Sequence, residues 1–282
     1  MDDQFLSKVE ELKDQKLAIV TITKTFGSTL GKAGFKMIVT ENGEIVYGTL
    51  GGGCPEGPVI NVGLEVIKTL KPRVMRIFLE DAKTALGKIS VSDTGDEVHV
   101  ETNCGGNMEV LIEPYSPRPT LMIFGDTFNS PLERTLVDVG KEIGFKTIEH
   151  NPLGACGRPD LASSTLDIDA IKIPDGAYVV LVTRGVNDAP LLKHISKAKT
   201  NYVGIVASKN RWQATREDLA RTGVSNEFMD RVHAPAGLMI NSVLLQEIAL
   251  SILAEIISER RKAELELQSA KKEAQKVIQR TS

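Results

Sequence analysis

The sequence lacks the features that mark several classes of protein. Its 282 residues include only three cysteines, Cys54, Cys104 and Cys156. This odd and widely spaced set excludes a disulfide framework and indicates a reducing compartment. Aromatic residues make up only 5% of the chain, too few for a platform that stacks the bases of a single strand. A net charge of -3 also argues against a nucleic-acid partner.

Long apolar runs are also lacking. No uncharged apolar stretch approaches the ~18 residues that a membrane span needs, so no span is predicted. The first residues, Met1-Asp2-Asp3-Gln4, have neither the basic segment nor the apolar core of a signal peptide. We therefore expect a cytoplasmic protein. Its composition, with 41% hydrophobic and 25% charged residues, is that of a globular protein, and its length fits two domains.

The first part of the chain, residues 1–115, is predicted to form an α+β domain. A buried strand is predicted at Leu17–Ile22, and Asn42-Gly43 between two apolar runs predicts a hairpin. Apolar residues at helical spacing predict a helix over Val59–Leu70. Two prolines hold residues 116–119 extended, so this segment is predicted to be a linker.

The second part, residues 120–258, is predicted to be a Rossmann-like three-layer αβα domain with a mostly parallel sheet. Continuous apolar strands alternate here with amphipathic helices, the pattern of βαβ units. The sequence Ser130-Pro131-Leu132-Glu133 predicts a helix start with a capping box. The charged segment 259–282 is predicted to extend the last helix.

Two glycine-rich turns in the first domain each contain a cysteine. One is Gly51-Gly52-Gly53-Cys54-Pro55-Glu56, between a strand and a helix, and the other is Cys104-Gly105-Gly106. A glycine-rich loop before a helix presents free N–H groups that favour an anion, and a thiol near them tends to ionise and react. The alternative is architectural: a tight connection with a small, half-buried cysteine.

Other candidate sites carry weaker patterns. The turn Gly125–Ser130 has only the first glycine of the dinucleotide fingerprint, although Glu149 stands where a ribose-binding acid belongs. The helix start Ser208-Lys209-Asn210-Arg211, with Lys209 and Arg211, either binds a phosphate or is solvated. His233 is predicted to lie in a loop, as a functional group or as a local hydrogen-bond partner. There is no Cys-x-x-Cys pair and the histidines are scattered, so no metal site is predicted.

Together these motifs resemble the XdhC/CoxI family. The likeness extends over residues 10–258, with each motif in the family's order. The segments that carry it are Gly27-Ser28-Thr29, Gly34–Val39, Gly48–Glu56, Cys104–Pro114, Tyr202–Ile205, Arg231–Leu238 and Glu247–Ile256.

The resemblance implies an accessory factor that binds molybdenum cofactor transiently and assists its insertion into a molybdenum hydroxylase, of the xanthine or carbon monoxide dehydrogenase type. It implies a cofactor chaperone rather than an enzyme, and no catalytic residue is assigned. The implied partners are the hydroxylase apo-enzyme, a cysteine desulfurase and a second copy of the chain. The implied cofactor-binding residues are Lys36, Gly51, Gly52, Gly53, Cys54, Glu56, Cys104, Gly105 and Gly106.

Two alternatives stay open at this point. One is an NAD(P)-dependent oxidoreductase. Thr127 and Ser130 occupy positions where the dinucleotide fingerprint needs glycine, so NAD(P) is not expected. The other is a scaffold protein that has lost ligand binding. It is favoured by Leu30-Gly31, where many members of the family have Pro-Arg.

Overall fold

The computed structural model describes residues 3–80, 97–101 and 106–262. The chain forms two compact units, Met1–Pro117 and Arg118–Ser282. Within the described ranges, no helix is both long and apolar enough to cross a membrane. The helical extension predicted at 259–282 falls outside the described residues from position 263 onward.

The first unit contains a six-stranded sheet with the order β3-β2-β1-β6-β4-β5. All its neighbouring strands are antiparallel except β4 and β5, which are parallel. The elements are α1 (Asp3–Glu11), β1 (Leu17–Phe26), β2 (Lys36–Thr40), β3 (Ile45–Gly48), α2 (Gly53–Thr69), β4 (Arg73–Glu80), β5 (Glu97–Glu101) and β6 (Gly106–Tyr115).

The alternation of apolar residues along β1 builds two cores in this unit. Ala18 and Val20 point to one face, where they pack with α2 in the main core, and Leu17 points to the other, where it packs with Phe5 of α1. This arrangement follows from the two-residue period of a strand. The predicted hairpin around Asn42-Gly43 is confirmed, since β2 and β3 pair antiparallel.

Helix α2 begins six residues earlier than its apolar pattern predicts, at Gly53 rather than at Val59. Prolines at positions 55 and 58 disfavour a helix in the sequence pattern, so the pattern does not predict this start. Pro55 lies in the first turn, where backbone N–H groups have no partner within the helix. Pro58 removes one hydrogen bond close to the helix start, so only a single turn is weakened.

The second unit contains a six-stranded, entirely parallel sheet, which confirms the predicted Rossmann-like architecture. Its order is β12-β11-β10-β7-β8-β9, the 3-2-1-4-5-6 arrangement of a doubly wound fold read from the β9 edge. The elements are β7 (Thr120–Gly125), α3 (Pro131–Glu142), β8 (Lys146–His150), β9 (Leu161–Ser163), β10 (Ala177–Val182), α4 (Asp188–Ile195), β11 (Thr200–Ile205), α5 (Lys209–Arg221), α6 (Asn226–Asp230), β12 (Val232–His233) and α7, described over residues 245–262.

Helices cover both faces of this sheet. Met122 and Phe124 point to one face, where α4 and α5 complete a core. Leu121 and Ile123 point to the other, where α3 and α7 do so. Because every residue of β7 after the first is buried, the strand reads as a continuous apolar run.

The sequence pattern does not predict the shortest elements, β9, β12 and α6. His233, predicted to lie in a loop, belongs to β12, whose two residues pair with β11. Strand β9 has three residues and helix α6 has five. Segments this short contain less than one full repeat of a hydrophobic pattern, so periodicity does not reveal them.

Candidate functional site

The glycine turn of the first unit is tied together by Thr49 and Glu56. The Thr49 hydroxyl donates to Oε1 of Glu56 at 2.6 Å and accepts from the N–H groups of Gly51 at 3.0 Å and Gly52 at 3.2 Å. The N–H of Leu50 donates to the same carboxylate oxygen at 3.1 Å. Three of the N–H groups expected to be free for a ligand are therefore bound within the turn. Glu56 acts here as a clamp on the loop.

Beyond these N–H groups, the start of α2 is open. Gly52 is its N-cap, and no side chain that the structure describes caps the helix. Gly52 has φ +123°, and a Cβ at this position would meet nothing within 4 Å. An uncapped helix start presents N–H groups with a positive partial charge, which favours an anionic group of a ligand.

The segment that follows β1 contacts one described glycine from each of the two predicted turns. A side chain on Gly51 would overlap the backbone of Gly31, and one on Gly106 would overlap the carbonyl oxygen of Phe26. Gly51 and Gly106 therefore both lie against the segment 26–31, one near each end. The two positions need glycine for close backbone approach.

The remaining predicted residues divide into two groups. Lys36 donates to the Thr21 hydroxyl at 2.8 Å, and its ammonium lies 5.4 Å from the ring centre of Phe5. These contacts place it on the face of the sheet that carries α1. The side chain of Cys54, and Cys104 and Gly105 as a whole, lie outside the described residues, so their roles stay predictions.

In the second unit, a buried acid lies in the first turn of α3, the helix that follows β7. The Ser130 hydroxyl accepts from the N–H of Glu133 at 3.3 Å, which confirms the predicted N-cap. The other half of the capping box differs from the prediction, since the N–H of Ser130 donates to Sγ of Cys156 at 3.3 Å. The Glu133 carboxylate turns inward instead, fully buried against Gly125.

A second acid and a thiol complete this cluster. Glu149, at the end of β8, accepts from the N–H groups of Cys156 at 2.6 Å and Gly157 at 3.2 Å. The amide of Asn151 donates to Oε2 of Glu133 at 2.8 Å, and Sγ of Cys156 lies 3.7 Å from the same oxygen. Among the described residues, ligand atoms of Glu133, Glu149 and Cys156 all lie within 4.8 Å of one another.

The surroundings shift the proton affinities of this cluster. Burial raises the pKa of Glu133 to about 7, and the Glu149 charge adds to the effect. Burial, helped by both acids, also raises the pKa of the Cys156 thiol. Glu149 is fully buried and bound to backbone N–H groups, so it is not placed to bind a ribose.

No sequence motif assigns a role to Cys156. The available signal was the segment Gly154-Ala155-Cys156-Gly157, a third cysteine flanked by glycine. Only the fold brings this loop to the start of α3, where Cys156 meets Glu133.

Two further predicted groups have protein partners. Arg211 donates to the buried Asp188 carboxylate at 2.8 Å and to the Thr183 hydroxyl at 3.0 Å, so its guanidinium is not solvated at a helix start. Nδ1 of His233 lies 3.2 Å from Oε1 of Glu255. These contacts assign both side chains a local structural role.

Comparisons with known proteins bear on both units. Residues 121–256 match the XdhC Rossmann domain, and residues 12–77 match the XdhC and CoxI family. The chain is 29% identical over 268 residues to the uncharacterized protein YqeB of Escherichia coli, with 91% of this chain and 46% of YqeB covered. The chain thus spans about half the length of that relative.

Two other relatives are covered over most of their length. The chain is 22% identical over 290 residues to the molybdenum cofactor insertion chaperone PaoD of Escherichia coli, covering 89% of this chain and 86% of PaoD. It is also 22% identical over 331 residues to a Bacillus subtilis protein named as a probable xanthine dehydrogenase subunit, covering 89% and 96% of the two chains.

Proposed function

Because the chain belongs to the XdhC and CoxI family, we propose that it binds molybdenum cofactor and assists its insertion into a molybdenum hydroxylase. The observation that carries this proposal is the match, over 89% of this chain, to a relative named as a molybdenum cofactor insertion chaperone. The names of these relatives support a role in the maturation of molybdenum hydroxylases.

The glycine turn of the first unit is the proposed binding site. Molybdenum cofactor carries a phosphate, and the uncapped start of α2 offers N–H groups with a positive partial charge. The bonds from Thr49 and Glu56 fix the turn before the cofactor arrives, so little ordering entropy is lost on binding. Cys54 is the second residue of α2, and a cysteine near the start of a helix is stabilised as the thiolate.

The chemistry of the cargo fits these groups. The cofactor also carries a dithiolene and an oxidation-prone metal, for which the thiols of Cys54 and Cys104 are suitable partners. The proposed task of this chain is to hold the cofactor and to protect it until transfer. The proposed recipient is a hydroxylase apo-enzyme of the xanthine or carbon monoxide dehydrogenase type.

The oxidoreductase alternative has less support. The acid that would hold a ribose, Glu149, accepts hydrogen bonds from Cys156 and Gly157 instead. The space next to Gly125, the first position of the fingerprint, is filled by the Glu133 carboxylate, and Thr127 stands where the glycine that admits a pyrophosphate belongs.

A binding titration tests the proposal. The purified chain is titrated with molybdenum cofactor and, separately, with NAD(H). We expect saturable binding of the cofactor, weakened in Cys54→Ser and unchanged in the matched variant Cys156→Ser. Micromolar NAD(H) binding without cofactor binding would overturn the proposal in favour of an oxidoreductase. Failure to bind either ligand would overturn it in favour of a scaffold protein.

The proposed partners have separate tests. Co-purification of the chain with a cofactor-free hydroxylase, and its release when the cofactor is inserted, would support the insertion role. A cysteine desulfurase is tested as a partner in the same way. Sedimentation of the free chain tests the proposed homodimer.

A further inference from the structure

The cluster of Glu133, Glu149 and Cys156 is an unusual group to find in the second unit. Three elements contribute to it: the first turn of α3, the end of β8 and the loop that follows β8. The ligand atoms are buried and lie within 4.8 Å of one another, although Cys156 as a residue remains partly exposed. Two carboxylates and a thiol therefore share one small volume.

The groups that donate to the two acids are neutral throughout the part of the chain that the structure describes. The hydrogen bonds that reach their carboxylates are donated by the Asn151 amide, the Cys156 thiol and the N–H groups of Cys156 and Gly157. Burial of two carboxylates among only neutral donors is costly for their ionised forms. A positive ion at this position would remove that cost.

One atom of the cluster has no partner within the described residues. Oε1 of Glu133 is buried and accepts no hydrogen bond, while Oε2 accepts from Asn151. The residue is fully buried, and its carboxylate is oriented toward the thiol of Cys156. A buried oxygen without a donor is rare in folded proteins, and here it marks a position for a further ligand.

Neighbouring groups fix the position of the Glu133 carboxylate. Gly125 leaves room for it, because a Cβ at that position would overlap Oε2 of Glu133. Asn151 donates to Oε2 of Glu133 and also to the carbonyl oxygen of Thr127 at 2.9 Å. The Glu133 carboxylate is thus held between the end of β7 and the residue that follows β8, as a metal ligand needs to be.

We propose that Glu133, Glu149 and Cys156 bind one divalent cation of the zinc type. Zinc binds cysteine sulfur and carboxylate oxygen, and a thiolate ligand favours it over magnesium or calcium. On binding, the cation replaces the proton of the Cys156 thiol, which leaves to solvent. Three protein ligands leave a fourth position for water, and the partly exposed Cys156 provides the route of entry.

Titration with Co²⁺ tests this proposal on the full chain, without molybdenum cofactor. Cobalt replaces zinc in such sites, and a cobalt–thiolate bond absorbs in the near ultraviolet. We expect this band to saturate at one equivalent and to disappear when zinc is added. Cys156→Ser should abolish the band, while Cys54→Ser and Cys104→Ser, the matched controls, should retain it.

The acids are tested separately. Glu133→Gln and Glu149→Gln should each weaken cobalt binding by about tenfold or more, the effect typical of a lost ligand or its support. Zinc should also raise the melting temperature of the parent chain but not that of Cys156→Ser, and far-ultraviolet circular dichroism verifies that each variant is folded.

Two results would overturn the proposal: the absence of a cobalt–thiolate band, or a band that persists in Cys156→Ser. Because neither measurement uses molybdenum cofactor, the proposed function of the first unit stands or falls independently.

Discussion

The carboxylate of Glu133 fills the space that a side chain on Gly125 would occupy. In a dinucleotide-binding domain the second glycine of the fingerprint lets the backbone approach a pyrophosphate, and the first glycine, after the first strand, makes the tight turn beside it. Here Gly125 has the same position at the end of β7, but the anion next to it belongs to the protein. One helical turn of α3 brings that anion into place, since Glu133 follows the N-cap Ser130 by three residues.

This relationship predicts the effect of Gly125→Ala. The added methyl group must displace the buried Glu133 carboxylate, so we expect the free energy of unfolding to fall by ~1–3 kcal/mol. Trp212 is the single tryptophan of the chain and lies in the second unit, so its fluorescence in a urea titration reports this unit. In a Glu133→Ala background the same glycine substitution should cost clearly less. Equal costs in both backgrounds would show that the two residues are not coupled.

The sequence predicts the parts of this region that depend on neighbouring residues, but it does not predict contacts between residues that are distant in the chain. The N-cap Ser130 and the strand β7 follow from local rules, and both are confirmed. The partner of the Ser130 N–H is Cys156, which is 26 positions away in the chain. No local pattern indicates that contact, because it arises only when the loop after β8 folds onto the start of α3.

The hydrogen bonds that fix the glycine turn predict a role for the hydroxyl of Thr49. Thr49→Val keeps the shape of the side chain but removes the bonds to Glu56, Gly51 and Gly52. Because the site is exposed, water replaces part of the loss, and we expect a stability decrease of only ~0.5–1.5 kcal/mol. If the turn holds the cofactor, affinity should fall by about tenfold, which is ~1.4 kcal/mol.

A second threonine variant provides the control for this measurement. Thr69 donates its hydroxyl to the carbonyl oxygen of Glu65 within α2, on the same helix but at its other end. Thr69→Val should leave cofactor affinity unchanged. Equal losses of affinity in both variants would indicate a general effect on the first unit rather than a defined binding turn.

The buried ion pair of the second unit predicts that substitutions of two arginines reduce stability by very different amounts. Asp188 is only 1% exposed, and Arg211 binds both of its carboxylate oxygens. Arg211→Met leaves that carboxylate buried without its partner, so we expect a loss of ~3–5 kcal/mol. Arg216 pairs with the exposed Asp230, and Arg216→Met should cost less than about 1 kcal/mol.

Urea titration followed by Trp212 fluorescence measures both changes in the same unit. Similar costs for the two variants would contradict the importance given to burial. The sequence placed Arg211 near a helix start, yet it could not identify its partner. Asp188 follows β10 and Arg211 follows β11, and the parallel sheet alone brings these two strand ends together.

The contacts of Glu255 predict how the second unit responds to acid. Although burial acts to raise its pKa, hydrogen bonds from His233, from the Tyr202 hydroxyl at 2.6 Å and from the N–H of Gly237 at 2.9 Å outweigh it and lower the pKa to about 2. The ordinary value is 4.5, so the unfolded chain takes up this proton first as the pH falls. The stabilising contribution of Glu255 is therefore complete above pH ~4.5 and is lost between about pH 4.5 and 2.

Comparison with Glu255→Gln isolates this contribution. The parent chain should lose ~1–3 kcal/mol more than the variant over that range of pH, because the variant has no carboxylate to protonate. Trp212 fluorescence in urea at several pH values measures the difference, and Glu142→Gln, at an exposed position on α3, is the control. Asp160, whose pKa is also lowered to about 2 despite burial, contributes equally to both chains and cancels. Parallel stability curves for the parent chain and Glu255→Gln would show that the three hydrogen bonds do not favour the ionised form.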